Sequence, residues 1–143
     1  MPAGITWQLS LIHISMKQRN MTPVIVMPEH PVSRFLDPAG VSRIFGNIIS
    51  NALKYSDGDL QVTLEESGKI IFSNEARGLT PVRVGRLFDR FYTVETGRSS
   101  TGLGLSIAKL LAERMGGTIS AEYVDSRLFI IVCFPNKKVG CAD

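Results

Sequence analysis

The clearest pattern in the chain is a helical period of apolar positions over residues 41–53. These positions recur at intervals of three and four residues, the spacing of an amphipathic helix. They are Val41, Ile44, Phe45, Ile48, Ile49, Ala52 and Leu53. Asp37 followed by Pro38 is typical of a helix start, with the acid as N-cap and the proline at the first helical position. Asp57-Gly58 indicates the end of this helix.

Other stretches have the composition of short strands. Residues 23–27 form an apolar run closed by prolines, and residues 60–64 alternate before a turn at Ser67-Gly68 leads into residues 69–72. A closing hairpin is also predicted. Its strands are Thr118–Tyr123 and Leu128–Phe134, and its turn is Asp125-Ser126.

Two shorter helices complete the pattern. Thr80-Pro81 starts one of them, with Val84, Leu87, Phe88 and Phe91 on one face. The other runs from about Gly104 to Met115 and stops at Gly116-Gly117. Residues 1–20 show neither a cap nor a clean period and stay unassigned. The order of helix, hairpin, helices and hairpin predicts a two-layer α+β domain.

Composition narrows the classes of protein. The chain has 143 residues, of which 44% are hydrophobic and 20% charged, which suits one globular domain and excludes a disordered chain or a coiled coil. The net charge of +3 is spread along the chain without a basic block, so nucleic acid is not an expected partner. The apolar stretch Ile5–Met16 is too short and broken to span a bilayer. We therefore expect a cytoplasmic domain with free thiols at Cys133 and Cys141 and no zinc site.

Three polar residues share one side of the long predicted helix. Asn47, Asn51 and Lys54 lie about one turn apart and project the same way. A carboxamide oxygen is a ligand that Mg²⁺ accepts, and a lysine nearby would meet phosphate oxygens. Taken alone, the same residues would equally form a solvated helix face.

A second candidate element is the stretch from Thr101 to Ser106, which reads Thr-Gly-Leu-Gly-Leu-Ser and opens a helix after a polar loop. Its glycines would let the backbone approach a ligand, and the free N–H groups of a helix start attract anions. It is neither the dinucleotide fingerprint nor the phosphate-binding loop with Gly-Lys-Ser/Thr. On its own it would also suit a packing turn.

Together these motifs resemble the catalytic domain of bacterial sensor histidine kinases, of the GHKL superfamily. Residues 47–55 (Asn-Ile-Ile-Ser-Asn-Ala-Leu-Lys-Tyr) resemble the N box, residues 86–92 (Arg-Leu-Phe-Asp-Arg-Phe-Tyr) the F box, and residues 101–108 (Thr-Gly-Leu-Gly-Leu-Ser-Ile-Ala) the G2 box. Order and spacing both match over roughly residues 22–135. The resemblance implies a Bergerat-type α+β two-layer sandwich, with a mixed, mostly antiparallel sheet packed against about three helices.

The resemblance also implies roles for residues of the N box in binding ATP and Mg²⁺. Asn51 would ligate Mg²⁺ through its side-chain oxygen, Lys54 would reach the phosphates, and Tyr55 would pack near the adenine. Asn47 stands where ATPases of the superfamily carry a hydrolytic glutamate. Because an amide cannot act as a general base, transfer to a protein acceptor is expected in place of hydrolysis.

The other boxes would supply the rest of the nucleotide site. The resemblance places the lid hinge at Phe88 and Phe91. Arg98 of the lid would either contact a phosphate or be a solvated charge, and both alternatives stay open. The phosphates would meet the G2 box, that is Thr101, Gly102, Leu103, Gly104 and Leu105.

One motif departs from the family pattern. The G1 box is typically Asp-x-Gly-x-Gly, and its aspartate accepts a hydrogen bond from the adenine amino group. The corresponding residues here are Asn74-Glu75-Ala76-Arg77-Gly78. Asn74 would accept that bond as a neutral and therefore weaker acceptor, and only Gly78 remains of the two glycines. We expect a variant pocket that still binds ATP.

The acceptor of the phosphoryl group is not recognisable in this chain. His13 and His30 lie in sequence contexts unlike that of a phosphorylated histidine. The resemblance implies a histidine-bearing dimerisation domain, in cis or in trans, and a response regulator downstream, with no membrane contact by this domain although a parent protein could be membrane-anchored. The predicted boundaries are an unassigned segment over 1–20, the catalytic domain over 21–136 and a tail over 137–143. The alternatives are an anti-sigma-factor-type serine kinase and a non-catalytic nucleotide-binding interaction module.

Overall fold

A computed structural model describes residues 2–18, 23–55, 59–89 and 104–135. Within these ranges the chain forms seven strands and four helices. In chain order they are β1 Pro2–Gly4, α1 Ile5–Gln18, β2 Val24–Val26, β3 Ser33–Phe35, α2 Pro38–Tyr55, β4 Gln61–Leu64, β5 Lys69–Glu75, α3 Pro81–Val84, α4 Gly104–Arg114, β6 Thr118–Val124 and β7 Arg127–Cys133.

Five of the strands form one mixed sheet in the order β2-β4-β5-β7-β6. β2 runs parallel to β4, and the other neighbours are antiparallel. The two predicted hairpins, β4–β5 and β6–β7, are joined along β5 and β7, where Phe72 pairs with Ile130. β1 and β3 form a separate antiparallel pair. The predicted two-layer α+β sandwich with a mostly antiparallel sheet is confirmed.

The helical layer covers one face of this sheet. The apolar stripe of α2 is buried as predicted from Val41 to Ala52, and the side chain of Leu53 lies outside the description. The ring of Phe45 lies 5.6 Å from that of Phe72 on β5. Side chains alternate between the two faces of a strand, so Ile70, Phe72 and Asn74 all face the helices. Asn74 therefore enters the apolar layer as a buried polar side chain, which is 3% exposed.

Caps and turns lie at the predicted positions. Asp37 Oδ1 accepts a hydrogen bond from the backbone N–H of Ala39 at 3.2 Å, and Thr80 Oγ1 accepts one from Arg83 at 3.3 Å. α4 ends at Arg114, and Gly116 in the following turn has a φ of 77°, the left-handed conformation that favours glycine. α3 is shorter than its apolar pattern suggested, and residues 85–88 continue as turns.

The N-terminal segment, which the sequence left unassigned, contains α1. Ile5, Leu9 and Met16 are buried in the common core, whereas Trp7 is 66% exposed. Apolar residues stand on both faces of this helix, so its periodicity is weak in the sequence. The boundaries over 1–20, 21–136 and 137–143 stay a prediction, but α1 shares its core with the rest of the fold.

Cys133 differs from its expected state. It lies at the end of the buried strand β7 and is disulfide-bonded in this structure, where a free thiol was expected. Cys141, the other cysteine of the chain, lies outside the described residues. Apolar context predicted the burial of Cys133 correctly, but it carries no information on pairing.

None of the helices in the described ranges is long and apolar enough to cross a membrane.

Candidate functional site

The polar face of α2 meets the first residue of α4. Asn47 Nδ2 donates a hydrogen bond to the carbonyl oxygen of Gly104 at 3.0 Å. A Cβ atom on Gly104 would lie 4.0 Å from Cβ of Asn47, so the two backbones approach closely. The N-terminal end of α4, where backbone N–H groups lack helical partners, is thereby held beside the N-box-like face.

Asn51 lies one turn after Asn47 on the same side of α2. Its Nδ2 is buried and is the one buried side-chain nitrogen that lacks a hydrogen-bond partner in the part of the chain that the structure describes. An amide left in this state costs about 1–3 kcal/mol. Such a group fits a site whose ligand or water accepts its hydrogen bond, and a rotation about the last side-chain torsion would present the oxygen to a metal ion instead.

Several predicted site residues cannot be placed. The backbones of Lys54 and Tyr55 belong to α2, but their side chains lie outside the description. Arg98, Thr101, Gly102 and Leu103 and the hinge residue Phe91 also lie outside the described ranges. Their roles stay predictions.

Gly104 and Leu105 form the start of α4. Gly104 is exposed, whereas Leu105 is 6% exposed and packs in the core. A contact between Leu105 and a phosphate would therefore come from its backbone N–H, since its side chain points into the apolar layer.

Asn74 lies at the sheet end of the candidate site. Its Nδ2 donates to the carbonyl oxygen of Glu75 at 2.9 Å. The carboxamide oxygen is then the atom that would accept a hydrogen bond from a ligand. This arrangement suits the acceptor role that the resemblance implies for Asn74.

The segment after Asn74 is held by the closing hairpin. Tyr123 Oη donates to the carbonyl oxygen of Ala76 at 2.8 Å, and the backbone N–H of Ala76 donates to the carbonyl oxygen of Ser126 at 2.9 Å. Ala76 is buried, so the alanine at the middle position of the G1-like motif fits the core. Gly78 is exposed, and a Cβ atom placed on it would meet no atom within 4 Å, which leaves open space there.

An ion pair contacts β5 near Asn74 from the opposite face of the sheet. Arg127 Nη1 donates to Asp59 Oδ2 at 2.8 Å, and the same oxygen accepts from the backbone N–H of Glu75 at 2.9 Å. Arg127 also reaches Ser73 Oγ through Nη2 at 3.2 Å. Sequence reasoning missed Asp59, Arg127 and Tyr123, because each contact joins residues far apart in the chain without a local pattern.

The predicted hinge region is described only as far as residue 89. Leu87 is buried and Phe88 half-buried, as expected for residues that anchor a turn by packing. Lys109 Nζ lies 5.8 Å from the centre of the Phe88 ring, within reach of a cation–π contact. This contact joins the F-box-like segment to α4.

The sequence over residues 36–138 matches the family model described as histidine kinase-, DNA gyrase B-, and HSP90-like ATPase. The chain belongs to this family. The match covers most of the chain and includes the described parts of the site, from α2 to β7. The resemblance drawn from the three boxes is thus confirmed.

Curated relatives narrow the family to sensor kinases. The chain is 33% identical over 140 residues to the sensor protein VanSC of Enterococcus gallinarum, a match that covers 92% of this chain and 34% of the relative. It is 31% identical over 123 residues to the sensor protein kinase WalK of Staphylococcus saprophyticus, covering 78% of this chain and 20% of the relative. The chain thus spans about a third or less of these relatives' length.

Solved structures agree on the fold. The mycobacterial sensor histidine kinase MprB matches with a TM-score of 0.75 at 23% identity, covering 94% of this chain and 97% of that one. The catalytic domain of the histidine kinase ThkA matches with a TM-score of 0.79 at 19% identity, covering 94% of each chain.

The family match and the sensor-kinase relatives identify this chain as the ATP-binding catalytic part of a histidine protein kinase. The family match implies that ATP is the nucleotide of this domain. The alternatives of an anti-sigma-factor-type serine kinase and of a non-catalytic module are not favoured by these relatives.

Proposed function

We propose that this chain binds Mg-ATP between α2 and the start of α4 and donates the γ-phosphoryl group to a histidine on a separate dimerisation domain. In this transfer the bond from the γ-phosphorus to the oxygen of ADP breaks, and a bond to a ring nitrogen of the histidine forms. Catalysis of this kind depends mainly on positioning and on neutralising charge.

The observation that carries the proposal is the contact of Asn47 with Gly104. It brings an N-box-like helix face against an anion-binding helix start, although the two elements lie far apart in the sequence. The phosphates would lie at this junction, where Gly104, Leu105, Thr101, Gly102 and Leu103 would offer backbone N–H groups. Lys54 and Arg98 would add positive charge.

The adenine would lie toward Asn74. Its carboxamide oxygen would accept from the adenine amino group, Tyr55 would pack beside the base, and the space at Gly78 would admit it. Asn74 is neutral, so this hydrogen bond is weaker than the one a carboxylate would make.

Asn51 is the residue that would hold Mg²⁺. Its buried side-chain nitrogen lacks a partner among the described residues, and a rotation of the amide would present the carboxamide oxygen, which is a suitable hard ligand. The described part of the chain contains no group of three or more His, Cys, Asp or Glu side chains that could hold a metal. This suits an ion held by one side chain and by phosphate oxygens, and the ion would supply charge neutralisation on those phosphates.

Asn47 would favour transfer over hydrolysis. Its amide cannot remove a proton from water, and its Nδ2 is engaged with Gly104. The acceptor histidine, and the response regulator that would receive the phosphoryl group next, would belong to other domains or chains. We further propose a cytoplasmic location for this domain, without membrane or nucleic-acid contacts.

Calorimetric titration with a non-hydrolysable ATP analogue tests the proposal. The analogue is titrated with and without Mg²⁺ into the wild-type chain, Asn51→Ala and the control Ser42→Ala, which changes an exposed residue at the start of α2. We expect Mg²⁺-dependent binding by the wild type and the control, and a loss of roughly tenfold or more in Asn51→Ala. A folded wild-type chain that binds no nucleotide would contradict the proposal.

A further inference from the structure

The carboxamide of Asn74 is held in one orientation. A carbonyl oxygen can only accept a hydrogen bond, so the group of Asn74 that faces the Glu75 carbonyl at 2.9 Å must be the NH₂ group. The carboxamide oxygen then lies on the other side. The carboxamide oxygen therefore stays available to accept a hydrogen bond from a ligand.

The backbone on both sides of Asn74 is held by one ion pair. On one side, Asp59 Oδ2 accepts from the backbone N–H of Glu75 at 2.9 Å. On the other side, Arg127 Nη2 donates to Ser73 Oγ at 3.2 Å and to the carbonyl oxygen of Ser73 at 3.4 Å. Ser73 and Glu75, which flank Asn74, are thus hydrogen-bonded to side chains on the face of the sheet opposite to the Asn74 side chain.

The two charged residues are themselves joined. Arg127 Nη1 lies 2.8 Å from Asp59 Oδ2, with the side chains 24% and 35% exposed. The register that pairs Gln61 with Ser73 brings Asp59, two residues before the start of β4, opposite Glu75. The Asp59 carboxylate therefore takes the place of a strand partner and bonds the Glu75 N–H where the β4 ladder ends.

We propose that the Asp59–Arg127 pair is a positioning device that keeps Asn74 an acceptor and thereby selects a purine with a 6-amino group over one with a 6-oxo group. The pair holds the backbone N–H of Glu75, and the carbonyl oxygen of the same residue in turn orients the Asn74 amide. This inference rests on the proposed function, because it assigns Asn74 to the base of the bound nucleotide.

The chemistry of the base explains the selection. A 6-amino group donates to the Asn74 oxygen, whereas a 6-oxo group would place one oxygen against another. A freely rotating amide would accommodate either base by turning over. Loosening the Glu75 peptide should therefore reduce discrimination between the two bases as well as affinity.

The test compares the affinities of ATP and ITP, which carry the same triphosphate but a 6-amino or a 6-oxo purine. Both are titrated with Mg²⁺ into the wild-type chain, Asp59→Asn, Arg127→Gln and Asn74→Ala. We expect the wild type to prefer ATP by roughly tenfold, and each variant of the ion pair to lower that ratio by roughly three- to tenfold. In an Asn74→Ala background, Arg127→Gln should leave the remaining ratio unchanged.

Arg34→Ala is the matched control. Arg34 also ties sheet backbone, since its Nε donates to the carbonyl oxygen of Phe134 at 2.9 Å, just after the far end of β7. Its removal should lower the free energy of unfolding without changing the ratio of ATP to ITP affinity. A purely structural role of Asp59 and Arg127 predicts this same behaviour for their variants.

The outcomes separate the two proposals. If the wild type binds ATP and the ratio is the same in Asp59→Asn and Arg127→Gln, the positioning role is wrong and the proposed function stands. If the folded wild type binds neither nucleotide, both are wrong. Asp59→Asn removes the charge that holds Arg127 but keeps the size of the side chain, so it carries the test if Arg127→Gln does not fold.

Discussion

Asn47 donates a hydrogen bond to the carbonyl oxygen of Gly104 across 57 residues of sequence. This carbonyl lies in the first turn of α4, close to the N–H groups that a phosphate would meet. The bond therefore makes the position of the anion-binding helix start depend on a side chain of α2. Changes at Asn47 should affect both the fold and the nucleotide site.

Asn47→Asp should weaken the contact between α2 and α4. A carboxylate cannot donate to the Gly104 carbonyl and would place a negative oxygen against it, so we expect a loss of about 0.5–1.5 kcal/mol in the free energy of unfolding, because the bond is exposed, and weaker ATP binding. Urea denaturation measures the first effect, and faster amide exchange in the first turn of α4 would locate it. Equal stability of Asn47→Asp and the exposed control Ser50→Ala would show that the bond contributes nothing.

Asn51→Ala should have opposite effects on stability and on binding. Removing a buried side-chain N–H group that lacks a partner and adding a better helix former should raise the free energy of unfolding of the nucleotide-free chain by about 0.5–1 kcal/mol. Mg²⁺-dependent ATP binding should fall in the same variant. Thermal unfolding with and without Mg-ATP measures both. A variant that loses stability and binding together would assign Asn51 a structural role only.

Local signals in the sequence predicted most of the described fold. The Asp37 cap, the apolar stripe beginning at Val41 and the turn at Asp125-Ser126 are each encoded within a few residues, and the structure confirms them. Helix α1 was missed because its buried Leu9 stands among apolar residues that face solvent. Its position depends on tertiary packing that no short window contains.

Leu9 and Trp7 offer a direct test of how α1 packs. Leu9 is 0% exposed and Trp7 is 66% exposed, although both are apolar residues of one helix. Leu9→Ala should cost about 2–5 kcal/mol of unfolding free energy, whereas Trp7→Ala should stay within about 0.5 kcal/mol. Chemical denaturation of both variants checks this. Similar small losses in the two would mean that α1 is not integral to the core.

Two glycines should respond oppositely to alanine. A Cβ on Gly46, within α2, would meet nothing within 4 Å, so Gly46→Ala should stabilise the chain by about 0.5–1 kcal/mol. A Cβ on Gly117 would lie 2.6 Å from the carbonyl oxygen of Cys133, so Gly117→Ala should destabilise it by about 1–3 kcal/mol. Differential scanning calorimetry of the two variants gives the sign of each change in stability. A Gly117→Ala variant as stable as the wild type would contradict the close approach of Gly117 to the Cys133 carbonyl.

The candidate site could be predicted only in part. Asn47, Asn51 and Asn74 stand in motifs that the resemblance covers, so their positions were predictable one by one. The bond from Tyr123 to Ala76 and the pair of Asp59 with Arg127 were not, because each joins the ends of different strands. Such contacts depend on the register of β5 with its neighbours, which the composition of a single strand does not determine.

The five-stranded sheet also implies an order of assembly. Its two hairpins close over short turns, at residues 65–68 and at Asp125-Ser126, and they then need only β5 and β7 to meet. The parallel edge strand β2 reaches β4 only across the whole of α2, which requires a long loop to close first. Val24 to Val26 should therefore join the sheet last during folding. They should also exchange their amide protons first in the native protein, while the β5–β7 centre remains protected until global unfolding.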